Sequence, residues 1–157
     1  MPKEYRGDLT SSGHRFAIVV SQYNESVTSK LLTGAVETFA EHGVSDGELE
    51  IAWVPGGWEI PLVADHFARS ETVDAVVCLG AVIRGETTHD QHINRHVSLS
   101  LGQMSLVTGV PVLFGVLTCN SLEQAIQRSG GSVGNKGAEC AEAALQMANL
   151  LDELPKP

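Results

Sequence analysis

Short apolar runs alternate along the chain with longer segments in which apolar residues recur at helical spacing. The runs predict strands that are covered on both faces, because half-covered strands would alternate apolar and polar residues. The longer segments predict amphipathic helices. Strands are expected at 15–21, 49–54, 74–83 and 111–117, and helices at 27–40, 58–68, 88–107, 121–129 and 138–151.

Local signals place the ends of several helices. Asn24 or Ser26 is expected to cap the start of the first helix, and Gly43 is expected to end it. Pro61 fits the first turn of the second helix, where its missing N–H costs little. Ser121 is a candidate cap for the short fourth helix.

Strand and helix alternate four times, and one extra helix closes the chain. This order predicts an α/β fold in which a four-stranded parallel sheet lies between helices and the crossovers are right-handed. Ligands in such folds bind beyond the carboxyl ends of the strands. The chemistry should therefore be sought at 21–25, 55–59, 80–90 and 117–121.

The first two strand ends offer an aromatic ring and a glycine turn. Tyr23 is equally consistent with stacking on a flat ligand and with covering the end of the sheet. Gly56 and Gly57 allow a ligand to approach the backbone and leave N–H groups free at a helix start. Glu59 suits the first turn of that helix, where a carboxylate also compensates the helix dipole.

The third strand end, 80–90, carries the most chemistry. Its two glycines have the spacing of a phosphate loop, but Glu86 stands where such a loop needs lysine, which excludes a triphosphate site. The glycine turn, the threonine hydroxyls and the free N–H groups that remain form a cradle for one small anion such as phosphate. His89, one turn into that helix, is placed to exchange protons near neutral pH.

His89 also belongs to a set of three histidines, with His92 and His96, that share one helix face. A metal site is the alternative function for this set. Three imidazoles on one helix diverge along its axis, however, and the sequence has neither an HExxH motif nor a second cluster of ligands. We therefore expect no metal, and we expect His92 and His96 at the surface or at an interface.

Composition narrows the partners and the compartment. The 157 residues predict one domain, and 10 Lys and Arg against 19 Asp and Glu give a net charge of −9, which disfavours nucleic acid and anionic membranes as partners. The three cysteines are widely spaced, so we expect reduced thiols in the core. The polar N-terminus and the lack of a long apolar run predict a cytoplasmic protein without a signal peptide or a membrane span.

Cations are scarce enough for two of them to stand out. Arg128 and Lys136 flank the glycine-rich stretch 130–137. A bound phosphate, with a charge of about −1.5 to −2 at neutral pH, needs at least one such partner. Arg128 fits equally well as a cation at a helix C-terminus, so its position alone does not decide its function.

Four segments together resemble the 6,7-dimethyl-8-ribityllumazine synthase family. They are WVPGGWEIP at 53–61, GAVIRGETTH at 80–89, GVPVLFGVLT at 109–118 and GNKG at 134–137. The similarity is collinear over about residues 5–151, which is nearly the whole chain. The third strand end followed at this distance by GNKG is highly specific to the family.

The resemblance implies a fold and an assembly. The fold is a flavodoxin-like three-layer α/β/α sandwich in a single domain, 1–157, whose N-terminal extension, 1–14, adds a strand from 4–8 to the sheet of a neighbouring subunit. Family members form pentamers with active sites between adjacent subunits, and Phe114 matches a ring that the neighbour contributes. Because 130–137 has no obvious insertion of the kind found in members restricted to pentamers, we expect a 60-subunit icosahedral shell, with riboflavin synthase as a further partner.

The resemblance also implies a reaction that needs no metal or cofactor. It is a transferase reaction, the penultimate step of riboflavin biosynthesis. In it, 5-amino-6-(D-ribitylamino)uracil condenses with 3,4-dihydroxy-2-butanone 4-phosphate to give 6,7-dimethyl-8-ribityllumazine, phosphate and water. Because the uracil amine is itself the nucleophile, catalysis consists of positioning and proton transfer.

Site residues follow from the resemblance for both substrates. Those matched to the uracil are Tyr23 for ring stacking, Gly57, Trp58 and Glu59 for the ribityl chain, and Ala81, Val82 and Ile83 for backbone contacts. Those matched to the phosphate substrate are Glu86, Thr87 and Arg128, with Lys136 near the same pocket. His89 matches the proton-transfer residue.

Three positions depart from the family's usual residues. Trp58 stands where Phe is commoner, which a ribityl pocket should tolerate. Asp90 and Gln91 follow His89 where an aromatic or hydrophobic residue is more usual, and Asp90 bears on the pH dependence of the reaction if it points inward. Two other functions stay open: a flavin- or phosphate-binding protein without turnover, and a purely structural shell protein.

Overall fold

Strands and helices alternate in a computed structural model that describes all 157 residues. None of the helices has the length and apolar character needed to cross a membrane. The elements in chain order are β1 (Phe16–Ser21), α1 (Glu25–Glu41), β2 (Leu49–Val54), α2 (Ile60–Arg69), β3 (Ala75–Ile83), α3 (His89–Thr108), β4 (Val112–Cys119), α4 (Leu122–Gln127), β5 (Ser129–Gly131), β6 (Gly134–Asn135) and α5 (Lys136–Glu153).

The main sheet has the strand order β2-β1-β3-β4, and every pairing in it is parallel. Helices α1 and α5 pack on one face, and α2 and α3 pack on the other. Successive residues of β1 face opposite layers, so Phe16 and Ile18 join one apolar cluster while Ala17 and Val19 join the other. The predicted flavodoxin-like α/β/α sandwich with a four-stranded parallel sheet is confirmed.

Most of the expected helix ends are found, with differences at α1, α2 and α4. Helix α4 ends at Gln127 and not at 129, because Ser129 begins β5. Gly43 follows α1 with a φ of 93°, and the Ser121 hydroxyl accepts a hydrogen bond from the Gln124 N–H at the start of α4. Asn24 occupies the cap position of α1, but its side chain makes no capping bond. Helix α2 begins at Ile60 and not at 58, because the three residues before it form a tighter 3₁₀ turn.

The glycine-rich stretch before α5 folds into the short antiparallel hairpin β5–β6, which periodicity did not predict. Helix α5 starts at Lys136, two residues earlier than expected. Asn135 caps this helix, since its Oδ1 accepts a hydrogen bond from the Ala138 N–H at 3.1 Å. The same amide group donates through Nδ2 to the Lys30 carbonyl of α1 at 3.0 Å. Asn135 therefore begins one helix and joins it to another.

Helices α1 and α5 approach each other closely at two glycines. A Cβ on Gly137 would overlap the Leu31 carbonyl, and one on Gly34 would overlap the Asn135 side chain. A larger residue at 137 would force the helix backbones apart, and one at 34 would displace the Asn135 side chain. Asn135 and Gly137 of the GNKG segment thus have packing roles between these helices, whatever Lys136 does in the site.

The N-terminal segment is fixed to the outside of the sandwich. The Asn149 amide donates to the Asp8 carbonyl at 3.0 Å and to the Thr10 carbonyl at 2.8 Å. His14 then lies between two carboxylates, with Nδ1 3.2 Å from Asp74 and Nε2 2.8 Å from Asp152. The strand expected from 4–8 would form with another subunit, and it stays a prediction.

We expect Gly137→Ala to lower the free energy of unfolding by about 1–3 kcal/mol, because the added methyl group forces α1 and α5 apart. Gly102→Ala is the matched control, since a Cβ there has no neighbour within 4 Å and alanine favours a helix over glycine. Thermal unfolding of both variants measures the difference. Equal midpoints would contradict the close contact between these helices.

Candidate active site

A cavity of about 620 Å³ opens at the carboxyl ends of β1, β2 and β3, where the topology predicted the chemistry. Tyr23 and the 55–59 turn form one side of it, and 81–83 forms its floor. Gly85, Thr87 and the first turns of α3 close the remaining side.

Tyr23 is held at the rim by its backbone. The Gln22 N–H donates to the Val54 carbonyl at 2.7 Å, and the Tyr23 N–H donates to the Pro55 carbonyl at 3.0 Å. These bonds tie the loop after β1 to the loop after β2. The Tyr23 side chain is 72% exposed and lines the cavity, so it is available to stack and does not serve as a buried cover for the sheet.

Asn24 joins the end of β1 to the end of β3. It adopts a left-handed conformation, with a φ of 61°, which asparagine tolerates better than most residues. Its amide donates to the Ala81 carbonyl at 2.9 Å. The sequence predicted Asn24 only as a helix cap. The one signal for a role at the site was an asparagine directly before a helix at a strand end. Asn24 instead fixes the position of Tyr23 relative to the cavity floor.

The 57–59 turn brings the glycine, the indole and the carboxylate to the cavity wall. A Cβ on Gly57 would come within 3.2 Å of Ile93 Cγ2 in α3, so a larger residue would move the wall. Trp58 is 53% exposed, and Glu59 is half-buried directly before α2. A carboxylate at this place can accept hydrogen bonds from ligand hydroxyl groups.

His89 is the first residue of α3 and lies at the cavity, not a full turn into the helix as expected. Its backbone N–H donates to the Thr87 hydroxyl oxygen at 3.3 Å. Asp90 is half-buried and lines the same cavity. It therefore points inward, which was the condition for an effect of Asp90 on the pH dependence of the reaction. Glu86 is exposed and does not line the cavity.

Besides Glu86, three predicted site residues do not line this cavity. Phe114 is 41% exposed on the edge strand β4. Arg128 caps the C-terminus of α4, where its guanidinium donates to the Gln124 carbonyl at 3.1 Å. Lys136 opens α5. The cavity is therefore lined by the carboxylates of Glu59 and Asp90 and by no Lys or Arg side chain.

The family model described as 6,7-dimethyl-8-ribityllumazine synthase matches residues 13–152. The chain belongs to the 6,7-dimethyl-8-ribityllumazine synthase family. The match confirms the resemblance seen in the four sequence segments and covers every residue assigned to the site. It places the chain in a family of riboflavin biosynthesis.

His89, His92 and His96 do not come together in a group that could hold a metal ion. No three His, Cys, Asp or Glu side chains come together in an arrangement that could hold a metal ion. His96 is half-buried, and its ring contacts Trp58, which the sequence gave no reason to expect. His92 is exposed.

The cysteines lie in the core, away from the cavity lining. Burial raises the pKa of all three thiols, and it raises that of Cys140 to about 11 even though Lys136 acts in the opposite direction. A raised pKa keeps a thiol protonated at neutral pH, so none of the three is a good nucleophile or metal ligand.

We expect no thiol of the native protein to react with Ellman's reagent at pH 8, because that pH lies below the raised pKa values and the side chains are covered. All three should react after unfolding in guanidinium chloride, which serves as the internal control. The absorbance of the released thiolate measures the number of reacting groups. A thiol that reacts in the native state would show that the core opens around it.

Proposed function

We propose that the chain condenses 5-amino-6-(D-ribitylamino)uracil with 3,4-dihydroxy-2-butanone 4-phosphate to 6,7-dimethyl-8-ribityllumazine, releasing phosphate and water. The observation that carries the proposal is the convergence on one cavity of most residues matched to these substrates. They are Tyr23, Gly57, Trp58, Glu59, Ala81, Val82, Ile83, Thr87 and His89. Membership of the lumazine synthase family supports the same reaction.

The uracil substrate is proposed to bind between Tyr23 and the 57–59 turn. The exposed ring of Tyr23 is available to stack on the flat pyrimidine. Glu59 accepts hydrogen bonds from the ribityl hydroxyls, and the Trp58 indole covers the chain. The floor at 81–83 excludes water beneath the ring, because these residues end a buried strand.

Proton transfer is proposed for His89. Carbonyl condensation, loss of phosphate and ring closure each move protons, and an imidazole gives and accepts protons near neutral pH. The substrate amine attacks by itself, so the reaction asks for no thiolate or alkoxide from the protein. The buried cysteines are protonated at neutral pH, which is consistent with a reaction that needs no nucleophile from the protein.

The phosphate is proposed to lie at the 85–87 turn, where the N-terminus of α3 favours an anion. Glu59 and Asp90 line the same cavity, and no cation from this chain does. A phosphate of about −1.5 to −2 charge therefore needs a cation from another source. We propose that Arg128 of an adjacent subunit supplies this cation, with Phe114 contributed by the neighbour and Lys136 near the same pocket, as the resemblance implies.

We expect His89→Ala to lower kcat by about 100-fold, because it removes the group that shuttles protons. Formation of the lumazine is followed by absorbance with both substrates present. His92→Ala is the control, since His92 lies on the same helix and is exposed. Wild-type protein that forms no lumazine above the spontaneous rate would reject the enzyme and favour a binding protein.

Arg128→Ala should mainly raise the KM for the phosphate substrate, by about tenfold or more, because a charge-assisted hydrogen bond to phosphate is lost. Arg69→Ala is the matched control, since Arg69 is exposed beside Asp65 in α2 and does not line the active-site cavity. Steady-state kinetics with each substrate varied in turn measures the effect. A rise confined to the uracil substrate would contradict the proposed role of Arg128.

We also propose that the chain assembles into pentamers, and twelve pentamers into a 60-subunit shell, because the stretch 130–137 carries no obvious insertion of the kind found in members restricted to pentamers. Sedimentation velocity of the purified protein should show one large species of that size. A species of only five chains would overturn the shell. A stable active monomer would overturn the shared active site as well.

A further inference from the structure

The 57–59 turn separates two cavities. On one side lies the candidate active site, and on the other lies a groove of about 530 Å³ between α2 and α3. Trp58 and Glu59 line both of them. Any movement of this turn toward the groove therefore enlarges the active-site cavity.

Two residues of α3 contact the turn. Ile93 packs against Gly57, and His96 lies three residues further along the same helix face. The His96 ring centroid is 4.0 Å from that of Trp58, with 33° between the two planes. Its Nε2 lies 3.2 Å from the Trp58 carbonyl oxygen. His96 thus contacts both the backbone and the indole of Trp58.

The hydrogen bonds of His96 define how its ring is oriented. A carbonyl oxygen only accepts, so Nε2 carries a proton and donates to Trp58. Nδ1 lies 3.3 Å from the Ser100 hydroxyl oxygen, one helical turn away. Because both nitrogens are engaged and one ring face is covered, the imidazole is fixed against rotation.

We propose that His96 is a positioning residue that holds the Trp58–Glu59 wall and thereby sets the affinity of the site for the ribityl chain. This proposal rests on the proposed function, in which that wall contacts the ribityl chain. His96 itself does not line the active-site cavity, so it acts through Trp58. His89 and the 85–87 turn lie on the other side of the cavity, and their work does not depend on His96.

Steady-state kinetics tests the proposal by separating the two substrates. His96→Ala should raise the KM for 5-amino-6-(D-ribitylamino)uracil about five- to tenfold, the value of one hydrogen bond and one ring contact. Its kcat and its KM for the phosphate substrate should stay within about twofold of wild type. His96→Gln keeps an N–H donor and should recover part of the affinity, whereas His92→Ala should match wild type. An unchanged uracil KM, an equal rise in both KM values or a fall in kcat alone would overturn the proposal.

A spectroscopic test keeps this proposal distinct from the proposed function. The chain has two tryptophans, so Trp53→Phe leaves Trp58 as the only indole. In that background, His96→Ala should change the near-ultraviolet circular dichroism and the fluorescence of Trp58, and His92→Ala should not. An unchanged Trp58 signal overturns the proposal even if the enzyme is active.

The same spectra and thermal unfolding report whether each variant is folded. If His96→Ala is not folded, His96→Gln is used in its place for both the kinetic and the spectroscopic test. If wild type forms no lumazine, the proposed function fails. Fluorescence titration of the Trp53→Phe protein with 5-amino-6-(D-ribitylamino)uracil then decides the role of His96 in binding. A weaker affinity in the His96 variant supports the role, and an equal affinity or no binding overturns it.

Discussion

Strand β1 is buried on both faces and pairs in parallel with β2 on one side and β3 on the other. Because the three strands run in one direction and end at neighbouring levels, their loops meet at a single edge of the sheet. The backbone bond from Tyr23 to Pro55 and the side-chain bond from Asn24 to Ala81 then join these loops. The cavity therefore lies beyond the ends of these strands, between the loops that the bonds join.

Periodicity was sufficient for the sheet and for most helix bounds, since β1 and β3 are continuous apolar runs and each long helix has one apolar face. The expectation that every strand is covered on both faces was wrong for β2, an edge strand that contains Glu50 and is largely exposed. Periodicity also failed where the structure depends on contacts between distant segments. The β5–β6 hairpin is too short to have a pattern of its own. The start of α5 depends on Asn135, whose amide also bonds the Lys30 carbonyl of another helix. Sequence rules for helix capping consider only neighbouring residues, so they could not predict the bond to Lys30.

The candidate site, like the fold, was predictable only in part. Topology located the cavity, because strand ends converge in every parallel α/β sheet. The contact of His96 with Trp58 joins residues that are 38 positions apart and could not be predicted from helix spacing. Charge is the third element: the sequence indicated that Arg128 was notable among few cations, but only the structure gave the sign of the cavity lining. The lining carries two carboxylates and no Lys or Arg side chain.

The buried thiols have a practical consequence for work with this protein. Cys78, Cys119 and Cys140 are at most 5% exposed, and burial raises the pKa of each. A single cysteine introduced at an exposed position would therefore be the one addressable thiol, and maleimide conjugation could attach a fluorophore or an affinity handle at one point per chain. The native cysteines can remain in place during such labelling, which preserves the packing of the core.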